Sequence, residues 1–149
     1  MMRMQDTLIT QLAAKDDKYA YALAEQIMAE SRETDAWYEY VPHVAKLLDH
    51  PKSLVRNRAI GILAANAIWD ENGSFAPVLQ RLLRHLADEK PITCRCCIKA
   101  LAEVGLAQPR YVPLIVAALD ALDAGQYPES MRPLIERDVA EAKRRLAAD

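Results

Sequence analysis

Glycine is scarce in this chain, with four residues in 149, and so are cysteine, with three, and phenylalanine, with one. Even with eight prolines, there is too little Gly and Pro for collagen-like or low-complexity sequence. Long apolar runs are missing as well. The longest, Val112 to Leu119, has eight residues and contains Pro113, far short of the roughly 20 that span a bilayer. Met1 to Leu12 holds no long apolar stretch, so no signal peptide is visible. A net charge of -2 does not indicate a strongly basic nucleic-acid binder. What the chain has instead is alanine, 25 residues, and leucine, 18. These favour helix over sheet, and an apolar share of 52% is too high for disorder. A chain of this length buries roughly 70% of its unfolded surface, so a single domain over residues 1–149 is expected.

The near-neutral charge is a sum of unlike parts. Residues 1–50 carry 5 basic and 9 acidic side chains, residues 51–110 carry 9 and 5, and residues 111–149 carry 5 and 7. A basic middle between acidic ends could steer an anionic partner, but the field of four solvated charges is weak. The cysteines, Cys94, Cys96 and Cys97, fall within four residues. An odd local cluster is not a disulfide framework, and a reducing, cytoplasmic compartment fits best.

A repeat organises the chain. Tyr40-Val41-Pro42, Phe75-Ala76-Pro77 and Tyr111-Val112-Pro113 each precede an apolar helical pattern, with the prolines 35 and 36 residues apart. Proline in a helix's first turn sacrifices no hydrogen bond. After each such helix comes a second element: Asp49-His50-Pro51 leads to Val55-Arg56, Asp88-Glu89-Lys90-Pro91 leads to Cys94-Arg95, and Tyr127-Pro128 leads to Met131-Arg132. The first copy, around Asp16-Asp17, lacks the arginine, as end repeats often do. The pattern predicts four helix pairs: 4–14 and 16–32, 35–49 and 52–70, 74–87 and 91–107, 110–123 and 128–147. The expected class is all-α, with the pairs stacked as an α-α superhelix. Gly61, inside an apolar helix, predicts a close helix crossing.

Helix pairs of this length, with Asp before the second helix and Val55-Arg56-x-x-Ala59 within it, resemble HEAT repeats, the armadillo-like α-solenoids. The stretches Ala67-Ile68-Trp69-Asp70, Asp88 to Pro91 with Arg95, and Ser130 to Ile135 with Asp138 are similar to a group of small bacterial HEAT-like proteins often labelled SufBD. That label is borrowed from iron–sulfur cluster assembly, whose own scaffolds are β-helical, and nothing β-helical is visible here. The resemblance implies a fold and names no activity.

Several groups invite a functional role. Arg56, Arg95 and Arg132 recur at one repeat position. They read as a structural ladder tying neighbouring repeats, with Asp49 and Asp88 as partners. Cys94 and Cys97 share a helix side with Ile98 and Leu101 and should pack as small hydrophobes, while Cys96 turns toward Lys99 and Glu103. Their spacing is not an established zinc or iron–sulfur pattern, so no metal or cofactor is assigned. Trp69-Asp70 invites comparison with HEAT-like alkylpurine DNA glycosylases, which set aromatic and acidic residues in a basic cleft, yet packing and helix-end roles fit better. In the run Asp35 to Tyr40, Trp37, Tyr38 and Tyr40 cannot all face inward; either they form a binding surface or homo-oligomer contact, or they pack against Tyr19 and Tyr21. His43, His50 and His85 lack companions for catalysis and are expected at the surface. Lys143-Arg144-Arg145 reads as a solvated helix end.

The expected function is therefore a non-enzymatic protein-interaction or scaffold module. Candidate contacts on the second helices are Arg58, Asn66, Trp69, Lys99, Glu103 and Arg137. A nucleic-acid-binding module or DNA-repair enzyme is the alternative, to be judged by whether the basic residues of 51–110 converge on one surface.

Overall fold

The computed structural model describes residues 3–147, and among them there is no strand. Eight α-helices follow in order: α1 Met4–Leu12, α2 Asp17–Glu33, α3 Val41–Val44, α4 Ser53–Asn66, α5 Ala76–Leu83, α6 Pro91–Ala107, α7 Val112–Ala121 and α8 Arg132–Ala147. The all-α class and the order of long and short helices agree with the sequence pattern. No helix is long and apolar enough to cross a membrane among the described residues.

The repeated prolines act as starters. Pro42, Pro77 and Pro113 all occupy the first turns of α3, α5 and α7, where a missing N–H removes nothing from the helix ladder. The aromatic two residues earlier packs inward: Phe75 and Tyr111 are buried, and Tyr40 is partly so. The helix expected over 35–49 begins only at Val41, after a turn and a 3₁₀ stretch over Tyr38–Tyr40, and α3 and α5 are further shortened because they tighten at their ends. α3 continues as a 3₁₀ turn over Ala45–Asp49, and α5 over Arg84–Ala87. Tighter turns at helix ends are common, since they satisfy otherwise orphaned carbonyls. Asn72 and Gly73 both take positive φ, 59° and 81°. That left-handed pair, natural for Asn and Gly, turns the chain between α4 and α5.

The even-numbered helices lie side by side. α2 packs on α4, α4 on α6, and α6 on α8. One contiguous apolar core runs from Leu8 to Ala142. α4 is covered on several sides, so ten of its fourteen residues are buried. At Gly61 a Cβ would stand 2.8 Å from the sulfur of Met28 on α2. The glycine thus makes room for the flexible end of a methionine between the two helices.

Buried ions tie the repeats together. Arg56 donates from Nε and Nη2 to both oxygens of Asp88, at 2.9 and 2.8 Å, and from Nη1 to the carbonyls of His50 and Pro51. Both side chains are almost fully buried, at 7% and 4% exposure. Asp88 also accepts from the Lys90 N–H, sits 2.8 Å from His85 Nδ1, and its carbonyl takes the Tyr127 hydroxyl. Burial pushes the Asp88 carboxyl up, but Arg56, the Lys90 amide and His85 outweigh that and hold it below the ordinary 3.8. Arg95 pairs with Asp138 of α8.

The expected ladder needs two corrections. Asp49 does not pair with a ladder arginine; it meets Arg81 of α5 at the surface. Its side chain stands outside the loop that Arg56 enters. Among the described residues Arg132 meets no carboxylate; it donates to the carbonyls of Tyr127 and Gly125, bracing its own loop. The histidines are also less exposed than expected. All three are partly buried, and His50 Nδ1 accepts from the Lys52 N–H.

Two outcomes follow for stability. Asp88→Ala leaves Arg56 buried without its counter-charge and should cost about 3–5 kcal/mol, whereas Asp49→Ala should cost under about 1 kcal/mol; urea unfolding of the two variants measures both. Because the folded Asp88 carboxyl is depressed, its contribution is complete above the ordinary value of 3.8 and is lost as pH falls through the lower folded value. A melting-temperature series from pH 6 to pH 2 should lose less for Asp88→Asn than for the parent across the acid end.

Candidate functional site

The face built by α2, α4 and α6 carries the concavities with chemistry in them. Toward the helix N-termini, a half-open groove encloses about 460 Å³. Its walls are mostly apolar: Tyr21, Ala24 and Met28 from α2, Leu54 and Gly61 from α4, and Cys96 from α6. Tyr21 is 61% exposed and Leu54 46%. Asp17, Lys18, Glu25, Asn57 and Arg58 complete the edge.

The polar groups of this groove are largely engaged. Arg58 donates to the Leu12 carbonyl and, at 2.7 Å, to Asp17, which also takes the Lys52 ammonium at 2.6 Å. Hydrogen bonds from Lys52 and Arg58 hold the Asp17 carboxyl below its ordinary range. Asn57 accepts the Thr93 hydroxyl at 2.6 Å through Oδ1.

Nearer the helix C-termini, Arg32 of α2 reaches Glu103 of α6 with two hydrogen bonds of 3.0 and 3.1 Å. The bridge spans the small residues Ala64 and Ala65 of α4, with Ile68 and Leu106 beside it, each about half exposed. Around the end of α4, Ile68 and Trp69 join Tyr38, Asp35, Glu71 and Ser74 in a more polar concavity of about 350 Å³. Asp70 lies beneath it, buried, and accepts from Ser74, the Phe75 N–H and the Tyr111 hydroxyl. Burial raises the Asp70 carboxyl, yet these donors prevail and keep it low. Burial, reinforced by Asp70, pushes the Tyr111 phenol up to about 12.

The six expected contact residues therefore divide. Lys99 and Arg137 are exposed. Glu103 is half-buried and taken by Arg32. Trp69 is half-buried and donates to the Ser31 carbonyl. Arg58 and Asn66 correct the expectation: both are buried. Arg58 is drawn in by Asp17 and the end of α1. Asn66 is wedged between α4 and α2, donating to Ser31 Oγ and the Ile62 carbonyl, with its Oδ1 unpaired. Periodicity missed Tyr21, Leu54, Ile68 and Leu106, because large apolar residues on a helix read as core.

The remaining groups are accounted for locally. Cys94 and Cys97 are buried and direct their thiols at the carbonyls of Leu86 and Leu82. Cys96 is half-buried in the groove. Trp37 donates to Glu30, Tyr38 meets Ser74, and the rings of Trp37 and Tyr40 lie 5.7 Å apart. All three are partly buried against the core, whereas Tyr19 and Tyr21 are exposed. Lys143 reaches Asp120 across to α7, and Arg144 pairs with Glu141. Among the described residues no group of His, Cys, Asp and Glu is arranged to hold a metal ion.

Five of the nine basic residues between 51 and 110 are spent on carboxylates: Lys52 and Arg58 on Asp17, Arg56 on Asp88, Arg81 on Asp49, and Arg95 on Asp138. Comparison with protein-family models, curated proteins and solved structures finds no match.

The thiols offer a direct check of this geometry. Burial raises all three, Cys97 most strongly. Iodoacetamide should place one label on the native protein, at Cys96, with a rate still climbing past pH 9 because the thiolate is the nucleophile. Cys94 and Cys97 should label only after unfolding, as read by peptide mass spectrometry.

Proposed function

We propose that this chain is a non-enzymatic, HEAT-like repeat module that binds another protein through the even-numbered helices, near the C-terminal ends of α4 and α6. The observation that carries this reading is the patch formed by Ile68 and Leu106, two large apolar side chains left half exposed around the Arg32–Glu103 bridge. Apolar residues that a fold could bury, set instead beside an arginine and an aromatic, are the composition of interface centres. Trp69 and Tyr38 extend the patch, and Asp35 and Glu71 give it an acidic rim. That rim favours a partner segment carrying basic side chains.

The succession of proline-led first helices and side-by-side second helices supports the HEAT-like reading. The three free thiols fit work in a reducing compartment such as the cytoplasm. The nucleic-acid alternative draws little support, since the basic residues of the middle segment are mostly engaged in ion pairs.

Affinity purification from the source cells identifies the partner, and point variants test the surface. Ile68→Glu and Leu106→Glu should each abolish co-purification while leaving the melting temperature within about 1–2 °C of the parent, because exposed positions rarely cost more than about 0.5 kcal/mol. Undiminished partner recovery by both variants would place the interface elsewhere.

A further inference from the structure

The apolar groove at the other end of these helices has a different character, and we infer that it is a binding site for a small, uncharged, mostly apolar molecule bearing one hydrogen-bond acceptor. This inference is independent of the protein-binding patch.

Three observations define the occupant. The first is length. The trough between α2 and α6 is crossed by the Arg32–Glu103 bridge, over Ala64 and Ala65 of α4. At the opposite end stand Asp17, Lys52 and Arg58, joined by ion pairs. The bridge and the ion-paired cluster mark the two ends of the groove, and a compact molecule fits between them. The enclosed volume of about 460 Å³ falls within the range of small-ligand sites.

The second is polarity. Every ion at the stops has a contact of opposite sign, Arg32 with Glu103 and both Lys52 and Arg58 with Asp17, and the wall between them is mostly apolar, so the groove offers no unpaired buried ion to a charged ligand. The other charged groups at its edge, Lys18 and Glu25, are exposed and of opposite sign. Asn57 spends Oδ1 on Thr93, and its Nδ2 has no hydrogen-bond partner among the described residues. That amide is the donor for a single ligand oxygen.

The third is adaptability. Met28 lies over Gly61, its terminal atoms within 3 Å of where a Cβ would stand. A methionine backed by a glycine can move to admit a guest without displacing backbone. Tyr21 and Leu54 supply the exposed walls, and Cys96 provides a thiol that reports occupancy.

The test uses the full chain and the solvatochromic probe 6-propionyl-2-dimethylaminonaphthalene, neutral and aromatic with one carbonyl oxygen. The expected result is saturable one-to-one binding with a blue-shifted emission, accompanied by slower iodoacetamide labelling of Cys96. Leu54→Glu, at an exposed position, should keep the parent's melting temperature and weaken the probe by at least about tenfold, since a carboxylate must then be desolvated beside it. Binding that does not saturate, or that leaves Cys96 labelling and the Leu54→Glu affinity unchanged, overturns the inference. So does a dimer in light scattering that Leu54→Glu dissociates, because a second copy would then be the groove's occupant. Either result leaves the Ile68–Leu106 reading untouched, as those variants are read by partner recovery alone.

Discussion

A buried guanidinium must be paired, and the pairing of Arg56 with Asp88 is the constraint on which this fold turns. Arg56 sits near the start of α4, and Asp88 lies in the connection ahead of α6. The bidentate contact fixes how far one repeat can rotate against the next. The same carboxylate holds the Lys90 amide, so the start of α6 is set by the charge that anchors α4. Through the Asp88 carbonyl, Tyr127 brings the fourth repeat to the same point. Such a pair contributes little to net stability compared with an apolar substitute, since desolvation offsets attraction. What it supplies is a single permitted register, because any slip strands two charges in the core.

A second buried carboxylate does the corresponding work at the far end. Asp70 closes α4, receives the Phe75 amide that begins the next pair, and takes the Tyr111 hydroxyl from the pair after that. α4 and α6 are thereby held at both ends, which keeps the face between them constant in shape. The uneven charge along the chain has its origin here. Asp17 and Asp49 in the acidic first third, and Asp138 in the last, pair with basic residues of the middle. Charge segregated along the sequence becomes charge neutralised between repeats.

Helix boundaries were legible because their signals are local. Pro42, Pro77 and Pro113 start helices by their own geometry, and Asn72-Gly73 turns the chain by its own conformational freedom. The face was less legible because it depends on neighbours. On α4, Arg58 and Asn66 have the phase of outward residues, but α2 and α6 flank the helix so closely that both are enclosed and given partners. Conversely, Leu54 at the start of α4 and Ile68 just past its end have the chemistry of core and stand half in solvent, since no described element covers them. Nor does sequence spacing disclose Arg32–Glu103, whose partners lie 71 residues apart.

That bridge separates two dissimilar concavities. Its side chains are 47% and 31% exposed, and solvent screening leaves such pairs small net energies. Its consequence is therefore geometric. With Arg32 joined to Glu103, the trough over α4 is interrupted between Gly61 and Ile68. On one side lies the half-open apolar groove of about 460 Å³. On the other, Ile68, Leu106 and Trp69 lie at an open edge with Asp35 and Glu71 around them. The short side chains of Gly61, Ala64 and Ala65 allow both arrangements, because bulkier residues there would fill the trough and hold Arg32 and Glu103 apart.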